Sequence, residues 1–591
     1  MGTISDKLMR IISTKEDIRQ ALISKGYDVP TSIPFKEYAK MILDLPCKAD
    51  SFPDIEGIVA RYSASGLTNE QMAANPVWVD KTGNGHDLRM KNFLWGGMSG
   101  VGGYVDNWNS SADWDINSYW VNSHTDHKLQ FITAGSVVQA RSNNIYNAEN
   151  VYKNILNVNG LTEAVNKGAV GGLRISAVDP ITSKAIKSFS FKTDGIIQIS
   201  FDDVLQDYFV AYLLYGSNTK DIDITIEQLP LYPGFILGDG VDDEAATIDN
   251  LDLEDTYTVY TPLILLKYGG VVSGKSSAKD FSLNTVVSSK SIGFDSANAW
   301  SGSIPVDLFE FALVVCKRDP KTMYVKDLIT GKANQRNSKE FVPNPGKYFI
   351  WRNTGGSWCQ VAIAGQIICN GHFSTDEDDE KVLDWYKKQY PWLFFDQAWT
   401  TVGKTNEDED RATIANITGN GNDLLLSNFG FAQGSGYNEE GEYAGYLVTD
   451  GVDDKAVSKQ FKIGENFTVI LDFKFPVKKI SYCGFDLSSK VRIQNLQGSG
   501  VYVVLKGNKT LIPSNVVRAV TSEGKVYDEN WNEYNIVPGN VSSNYTMVNL
   551  GFDGSNQFAE SATKLAGIYS STLSKDDCIK AYNYLQTLKA K

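Results

Sequence analysis

The pentapeptide Asp-Gly-Val-Asp-Asp occurs twice in the sequence, at residues 239–243 and again at residues 450–454. Each copy places three carboxylates on one short stretch, and clustered carboxylate oxygens are the ligands that Ca²⁺ prefers. The same pattern also describes a tight turn, in which Gly adopts a positive φ and the Asp side chains accept hydrogen bonds from the local backbone. We favour the turn, so the sequence predicts no metal site and no cofactor, with calcium as the alternative.

Residues 269–276, Gly-Gly-Val-Val-Ser-Gly-Lys-Ser, match the P-loop pattern GxxxxGK[ST]. A P-loop binds phosphate because it opens a helix whose N-terminal N–H groups face the anion. Here residues 277–287 have the pattern of a strand and a turn, and no β-α-β alternation surrounds the match. We therefore predict no nucleotide site.

His124 and His127, with Asp126 between them, are the closest pair among the four histidines, and such a trio could hold Zn²⁺. The trio lacks a fourth ligand and a second pair of ligands, so a solvated loop is favoured. The sequence has no GxSxG motif, and its 70 acidic residues single out no carboxylate pair for glycoside hydrolysis. We predict no catalytic residues, and hence a protein that is not an enzyme.

Residues 94–120 combine many glycines with tryptophan and tyrosine. Glycine permits close approach of backbones and aromatic rings supply flat contact area, which is typical both of sugar sites and of ordinary sheet corners. The structural interpretation is favoured. Under the other interpretation, the candidate glycan-binding residues are Trp95, Tyr104, Trp108 and Trp114.

A longer repeated frame indicates two related β-rich domains. Thr-Gly-Asn-Gly occurs at 82–85 and at 418–421, each time followed by an Asp-Leu pair and an Asn-Phe pair. The distance from this motif to Asp-Gly-Val-Asp-Asp is about 125 residues longer in the first copy. We therefore expect an insertion at 111–235 whose two ends lie close together. Alternating apolar residues on both sides of Asp194-Gly195 predict a β-hairpin within a small inserted β-sandwich.

Residues 1–50 differ from the rest of the chain, because their apolar residues recur at helical spacing. Three short helices bury too little apolar surface to be stable alone. We expect them to dock the protein on a partner or to drive its oligomerisation, with a cap on the same chain as the alternative. The residues predicted to make these contacts are Leu8, Ile11, Ile12, Ile18, Leu22, Tyr38 and Ile42.

Composition and charge disfavour several classes of function. The formal net charge of −14 argues against a general nucleic-acid binder, which needs concentrated Lys and Arg. No apolar run approaches the roughly 20 residues that cross a bilayer, and the N-terminus does not read as a signal peptide. The six cysteines are scattered, which indicates reduced thiols of a protein made in a cytosol. We expect no nucleic-acid partner and no membrane insertion.

The repeated frame, TGNGxDLxxxNF followed by DGVDD, an aromatic-Thr-Val strand and a closing helix, resembles the laminin-G-like (concanavalin A-like) jelly roll. The interrupted copy, with residues 225–229 leading into Tyr232-Pro233-Gly234, resembles virion proteins of gut bacteriophages of the crAss-like type, as does the N-terminal segment 14–21. The predicted fold is mainly β, with two laminin-G-like jelly-roll sandwiches. They occupy 51–110 with 236–396, and 397–591; the first is interrupted by an inserted β-sandwich at 111–235, and a helical unit at 1–50 precedes it.

The resemblance implies a non-enzymatic structural protein of a phage head or tail fibre, in a virion assembled in the host cytoplasm. The implied partners are other virion proteins, further copies of the chain (for example in a trimer), and a glycan on the host surface. A bacterial glycan-active enzyme or adhesin with laminin-G-like accessory domains is the alternative. A purely structural decoration protein without glycan affinity is a third hypothesis.

Overall fold

The structure of the protein is a computed structural model. It describes residues 52–591 except for short gaps at 109, 120, 126, 135–137, 148–151, 168–170, 202–203, 217–219, 276–279, 342–344, 353–356, 439–442, 444, 476–480, 489, 496–500, 515, 541–544, 553–557 and 591. Residues 55–591 form one compact unit. The seven apolar contact residues predicted between Leu8 and Ile42 lie outside the described residues, so their role stays a prediction.

The described chain begins with four strands and one short helix: β1 (Ile58–Ser63), α1 (Asn69–Ala74), β2 (Val77–Trp78), β3 (Leu88–Lys91) and β4 (Gly100–Val101). Ten strands and a second helix follow, and they build the insertion: β5 (Trp114–Ile116), β6 (Val121–His124), β7 (Lys128–Thr133), β8 (Ala140–Ser142), β9 (Lys153–Asn159), α2 (Leu161–Asn166), β10 (Gly172–Val178), β11 (Ala185–Phe191), β12 (Gly195–Ser200), β13 (Phe209–Tyr215) and β14 (Lys220–Gln228).

The chain then returns to the sheets of β1–β4: β15 (Ile236–Asp239), β16 (Glu244–Thr247), β17 (Tyr257–Leu265), β18 (Val271–Lys275), β19 (Ser282–Val286), β20 (Ser291–Ser296), β21 (Ala299–Pro305), β22 (Phe311–Arg318), β23 (Thr322–Asp327), β24 (Ala333–Asn337), β25 (Tyr348–Ile350), β26 (Gln360–Ile363), β27 (Gly365–Asn370), α3 (Asp376–Gln389) and a 3₁₀ turn (Pro391–Leu393).

The last part repeats this plan: β28 (Gln397–Thr400), β29 (Thr413–Ile414), β30 (Leu424–Ser427), β31 (Gly436–Asn438), β32 (Tyr446–Asp450), β33 (Lys455–Val457), β34 (Phe461–Lys462), β35 (Thr468–Lys474), β36 (Ser481–Leu487), β37 (Val491–Asn495), β38 (Val501–Leu505), β39 (Asn508–Ile512), β40 (Val516–Thr521), β41 (Lys525–Tyr527), β42 (Glu533–Asn535), β43 (Tyr545–Thr546), β44 (Asn549–Leu550), β45 (Glu560–Tyr569) and α4 (Lys575–Thr587). The described residues are mainly β, which confirms the predicted fold class.

Two antiparallel sheets drawn from β1–β4 and β15–β27 form the first sandwich. One has the order β24-β23-β22-β17-β26-β15-β4, with β27 pairing with both β17 and β1, and the other has the order β2-β3-β16-β25-β18-β19-β20-β21. β17 is buried along its whole length. Its Tyr257 and Val259 lie in the core between the sheets, whereas the Tyr260 hydroxyl donates to Asp379 of α3 at 2.9 Å. Residues of β17 thus contact both the core and the covering helix.

The second sandwich has a matching pair of sheets. One runs β31-β32-β45-β35-β40-β41-β42, with β28 also pairing with β45, and the other runs β29-β30-β33-β44-β36-β37-β38-β39. Its core is a separate cluster that includes Val469 and Leu471 of β35 and Phe467 directly before it. The closing helix of each sandwich begins at a hydroxyl cap, with the Thr375 hydroxyl accepting from Asp378 N and the Ser574 hydroxyl accepting from Asp577 N.

The insertion is itself a two-sheet sandwich. Its sheets run β11-β10-β13-β8-β5 and β12-β9-β14-β7-β6, and they enclose a cluster of buried residues of their own. The hairpin predicted at Asp194-Gly195 is wrong, because β11 pairs with β10 and β12 pairs with β9. The Asp194 carboxylate instead accepts hydrogen bonds from Leu161 N (2.6 Å) and Thr162 N (3.1 Å) at the start of α2. The dipeptide therefore caps a helix where the chain crosses between sheets.

The two ends of the insertion lie side by side, as predicted. β4, before the insertion, pairs with β15, after it, with Gly100 opposite Leu237. In the second sandwich β31 and β32 pair in the corresponding register, with Gly436 opposite Val448. The insertion thus occupies the place of the short β31–β32 connection.

Candidate functional site

Both Asp-Gly-Val-Asp-Asp segments form the same turn. Asp239 accepts hydrogen bonds from Val241 N (2.7 Å) and Asp242 N (3.3 Å), and Asp239 N donates to the Asp243 carboxylate at 2.8 Å. Gly240 has a φ of 76°, which L-residues with side chains rarely adopt. Asp450, Gly451 and their neighbours repeat these contacts, so the predicted turn is confirmed.

The last carboxylate of each turn is buried and has a raised pKa. Burial raises the pKa of Asp243 to about 7, although Asp239 N and the Ser99 hydroxyl donate to it. Burial likewise raises the pKa of Asp454 to about 6. In each turn the three carboxylates place oxygens within 4.8 Å of one another, close enough for one cation. The turn geometry therefore leaves the calcium alternative open.

Residues 271–275 of the P-loop-like segment form strand β18. The Lys275 ammonium is buried, 3.3 Å from the carboxylates of Asp252 and Asp280. This lysine is thus engaged in ion pairs that join β18 to neighbouring segments.

His124 and His127 lie in and beside strand β6 in the insertion. The side chain of His124 is exposed, whereas the His127 ring stacks on Tyr104 with centroids 4.7 Å apart and lies 3.7 Å from the Glu227 carboxylate. Asp126 lies outside the described residues. The zinc hypothesis gains no support from these positions.

The four predicted glycan-binding aromatic residues occupy different surroundings. Trp95 is half-buried and stacks on Phe93 at 4.9 Å, and Tyr104 stacks on His127 as described above. Trp108 and Trp114 are 1% and 2% exposed and contact each other edge-on in the core of the insertion. The structure does not bring the four rings to one surface, and their binding of a glycan stays a prediction.

A pocket of about 250 Å³ lies beside Trp114, where the insertion leaves the first sandwich. Its polar lining includes Asn107, Asp113, Asn144 and Asp239. We call it the insertion pocket.

A buried polar network lies next to the insertion pocket. Asp106 accepts hydrogen bonds from the Tyr152 hydroxyl (2.6 Å) and the Asn154 amide (2.9 Å). Its backbone N donates to the Gln228 side chain at 2.9 Å, so residues near the two ends of the insertion are linked directly. Burial raises the pKa of Asp106 to about 7 despite these hydrogen bonds. The network holds the two ends of the insertion together where the insertion leaves the first sandwich.

A larger cleft lies where the two sandwiches meet. Its volume is about 830 Å³, and its lining comes from segments 305–312, 327–332, 387–396, 417–419 and 570–584. We call it the junction cleft. Typical small-molecule sites have volumes of about 300–1,000 Å³, so the junction cleft is large enough for an extended ligand.

Aromatic side chains line part of the junction cleft. Phe394 packs edge-on against Phe311 at 5.4 Å, and Phe395 lies 6.3 Å from the ring of Tyr584. The Tyr584 hydroxyl accepts a hydrogen bond from Phe311 N at 2.7 Å, which joins helix α4 to the first sandwich. Phe394 and Phe395 are half-buried, so part of each ring is accessible.

Four hydroxyl-bearing residues also line the cleft: Thr330, Thr418, Ser570 and Ser571. Sequence reasoning missed this site because its lining comes from five segments that meet only when the sandwiches pack together. The run Trp392-Leu393-Phe394-Phe395 next to the predicted boundary was the available signal.

Among the described helices, none combines the length and apolar character required to cross a bilayer. No protein-family model and no curated protein matches the sequence. Comparison with solved structures finds the receptor binding domain of botulinum neurotoxin mosaic serotype C/D, at 10% identity, over 58% of this chain and 89% of that chain, with a TM-score of 0.27. It also finds a SAP-like pentraxin from Limulus polyphemus, at 14% identity, over 20% of this chain and 66% of that chain, with a TM-score of 0.17. At these TM-scores neither likeness assigns a fold family or a ligand to this chain.

Proposed function

We propose that this chain is a non-enzymatic virion protein of a bacteriophage that binds an oligosaccharide of the host surface in the junction cleft. The observation that carries the binding part of the proposal is the cleft itself, with its half-buried aromatic rings and surrounding hydroxyl groups. The virion part rests on the sequence resemblance.

The lining of the junction cleft suits a sugar chain. Aromatic rings such as Phe394 and Phe395 offer apolar faces to the C–H surfaces of a sugar. The exposed Ser571 hydroxyl can both donate to and accept from sugar hydroxyls. The Thr418 hydroxyl donates to Asn416 Oδ1 at 2.7 Å, so it can only accept from a sugar. A cleft of about 830 Å³ also has room for several sugar units rather than one. These features support an oligosaccharide over a monosaccharide as the ligand.

A glycan microarray with the full chain tests the binding proposal. We expect selective binding of oligosaccharides that Ser571→Trp abolishes, because an indole at this exposed cleft position fills the space for the ligand. Ser65→Trp, a matched change at an exposed serine outside the cleft, should leave binding unchanged. An empty array, or equal effects of both variants, would refute the cleft as the site.

An assay for cleavage of the bound oligosaccharides distinguishes a binding protein from the alternative, a glycan-active enzyme. Incubation of the bound oligosaccharides with the protein should release no shorter products. Sustained product release that a single carboxylate substitution abolishes would favour the enzyme.

Attachment to a virion is tested separately by deletion of residues 1–46. We expect the truncated protein to keep the melting temperature of the β-sandwiches and to lose incorporation into phage particles, measured by immunoblot of purified virions. Incorporation at the level of the full chain would place the attachment point outside this segment.

A further inference from the structure

Three lysines line the junction cleft, and two of them have no ionic partner among the described residues. Lys332 lies in the turn after β23, and Lys387 and Lys388 lie in the last turn of α3. Lys387 is 3.4 Å from the Asp384 carboxylate. Lys332 and Lys388 are exposed and form no ion pair with the residues that the structure describes. Two ammonium groups at the cleft are therefore available to a ligand.

The carboxylates of the same cleft are engaged within the protein. Asp327 is buried, and it accepts hydrogen bonds from Leu313 N (3.2 Å), Ile329 N (3.0 Å) and the Thr330 hydroxyl (2.7 Å). Burial also raises its pKa, which reduces its tendency to carry charge. The Asp396 carboxylate accepts from Ser570 N, and Asp307 and Glu310 also have partners. Among the charged side chains that the structure describes in the cleft, Lys332 and Lys388 are therefore the two without an ion pair or hydrogen-bond partner.

We infer that the junction cleft selects acidic oligosaccharides, whose carboxylate or sulfate groups pair with Lys332 and Lys388 while their sugar rings pack on the aromatic lining. This inference rests on the proposed function and specifies its ligand class. Charge-assisted hydrogen bonds from an ammonium to an anionic oxygen are stronger than those between neutral groups. Both lysines are solvent-exposed, so each pair contributes modestly and weakens as salt screens it.

Isothermal titration with matched pairs of ligands tests this selectivity. The probes are tetramers of galacturonate, of sialic acid and of a sulfated hexosamine–uronate chain, each compared with its methyl-esterified or desulfated and esterified counterpart. We expect at least one acidic tetramer to bind about 3- to 20-fold more tightly than its neutralised counterpart, the range for two exposed ion pairs. That preference should shrink as salt rises from about 0.05 M to about 0.5 M.

The double variant Lys332→Met/Lys388→Met should reduce the affinity for the acidic tetramer to that of the neutralised one. The matched control is Lys321→Met/Lys381→Met, which removes the same charge from the turn before β23 and from α3 outside the cleft. Equal binding of acidic and neutralised tetramers would overturn the inference and leave the proposed function standing. Equal losses of affinity in both double variants would show a general effect of charge and would also overturn the inference. Absence of binding to every tetramer, together with an empty array, would overturn both.

Discussion

At the residue scale, the two Asp-Gly-Val-Asp-Asp turns show which features short-range chemistry determines. Asp239 and Asp450 accept hydrogen bonds from N–H groups two and three residues ahead, and such contacts depend on local sequence alone. Burial of Trp108 and Trp114 depends instead on strands that are distant in sequence. The turn was therefore predictable from its residues, whereas the accessibility of the aromatic rings was not.

The glycine of the turn gives the first prediction. A Cβ at Gly451 would lie 2.8 Å from the backbone N of Glu560, and its φ of 74° is unfavourable for any side chain. Gly451→Ala should therefore lower the free energy of unfolding of the second sandwich by about 1–3 kcal/mol. Gly421→Ala is the control, because Gly421 has a φ of 76° but no atom within 4 Å of the added Cβ. Urea denaturation should show a larger loss for Gly451→Ala, and equal losses would contradict the close approach.

The raised pKa of Asp243 gives a prediction about pH. The unfolded chain loses this proton near the ordinary aspartate pKa of 3.8, whereas the folded protein, with its pKa raised by burial, keeps it up to about pH 7. The unfolded state therefore binds fewer protons between these values, and the contribution of Asp243 to stability falls as pH rises from about 4 to about 7. Asp243→Asn should remove this part of the pH dependence of the urea midpoint. The exposed neighbour serves as control: the charge of Asp242 is only a minor cause of the raised pKa of Asp243, so Asp242→Asn should keep most of the wild-type slope. An unchanged slope in Asp243→Asn would contradict the shift.

At the element scale, the helices were easier to predict than the strand pairings. The caps at Thr375 and Ser574 mark the starts of α3 and α4, because a hydroxyl that accepts from a backbone N–H three residues ahead is a local signal. The Asp194-Gly195 dipeptide carries an equally local signal for a turn. A turn signal does not determine whether the two strands beside the turn pair with each other. The predicted hairpin was therefore wrong, although both flanking strands exist.

A buried ion pair anchors helix α4 to its sheet. Arg518 of β40 pairs with Asp472 of β35, and Gln586 of α4 donates to the other oxygen of Asp472 at 3.0 Å. Burial alone would raise the pKa of Asp472, but the charges of Arg518 and Lys564 hold it at about 2. This contribution to stability is present above the unfolded pKa, near 3.8, and is lost as pH falls toward about 2.

Removal of one partner should be costly at this site. Arg518→Met leaves the Asp472 charge buried without its main partner, so the second sandwich should lose about 3–5 kcal/mol of unfolding free energy. Lys525→Met removes a partner from a surface pair with Glu533 in the same sandwich and should cost less than about 1 kcal/mol. Urea denaturation measures the loss of unfolding free energy in both variants. A similar small loss in the two would show that water hydrates the Asp472 carboxylate once Arg518 is removed.

At the scale of the whole molecule, the internal repeat predicted where the insertion begins and ends in space. Its two flanking strands, β4 and β15, pair in the same way as β31 and β32. This could be predicted because the repeated sequence motifs assign equivalent strands to the two sandwiches. The junction cleft could not be predicted from the internal repeat. It depends on how the two sandwiches pack, which contacts such as Tyr569 to the Trp392 carbonyl (3.1 Å) determine.

The paired flanking strands predict that the first sandwich folds without the insertion. Replacement of residues 103–234 by residues 439–445 joins β4 to β15 with the connection used in the second sandwich. The insertion has its own core cluster, so the shortened protein should keep cooperative unfolding of both remaining sandwiches with little change in melting temperature. Loss of the transition of the first sandwich, seen by calorimetry, would show that the insertion contributes to its core.

The central claim is that an oligosaccharide binds in the junction cleft, and hydrogen–deuterium exchange of the full chain with and without the bound glycan tests it most directly. Ligand binding should slow exchange of backbone amides in residues 391–396, 417–419 and 570–571 and at Tyr584, which line the cleft. Residues 94–114, which carry the aromatic residues predicted from sequence, should exchange as in the free protein. Protection confined to 94–114, or to any surface away from the cleft, would contradict the account.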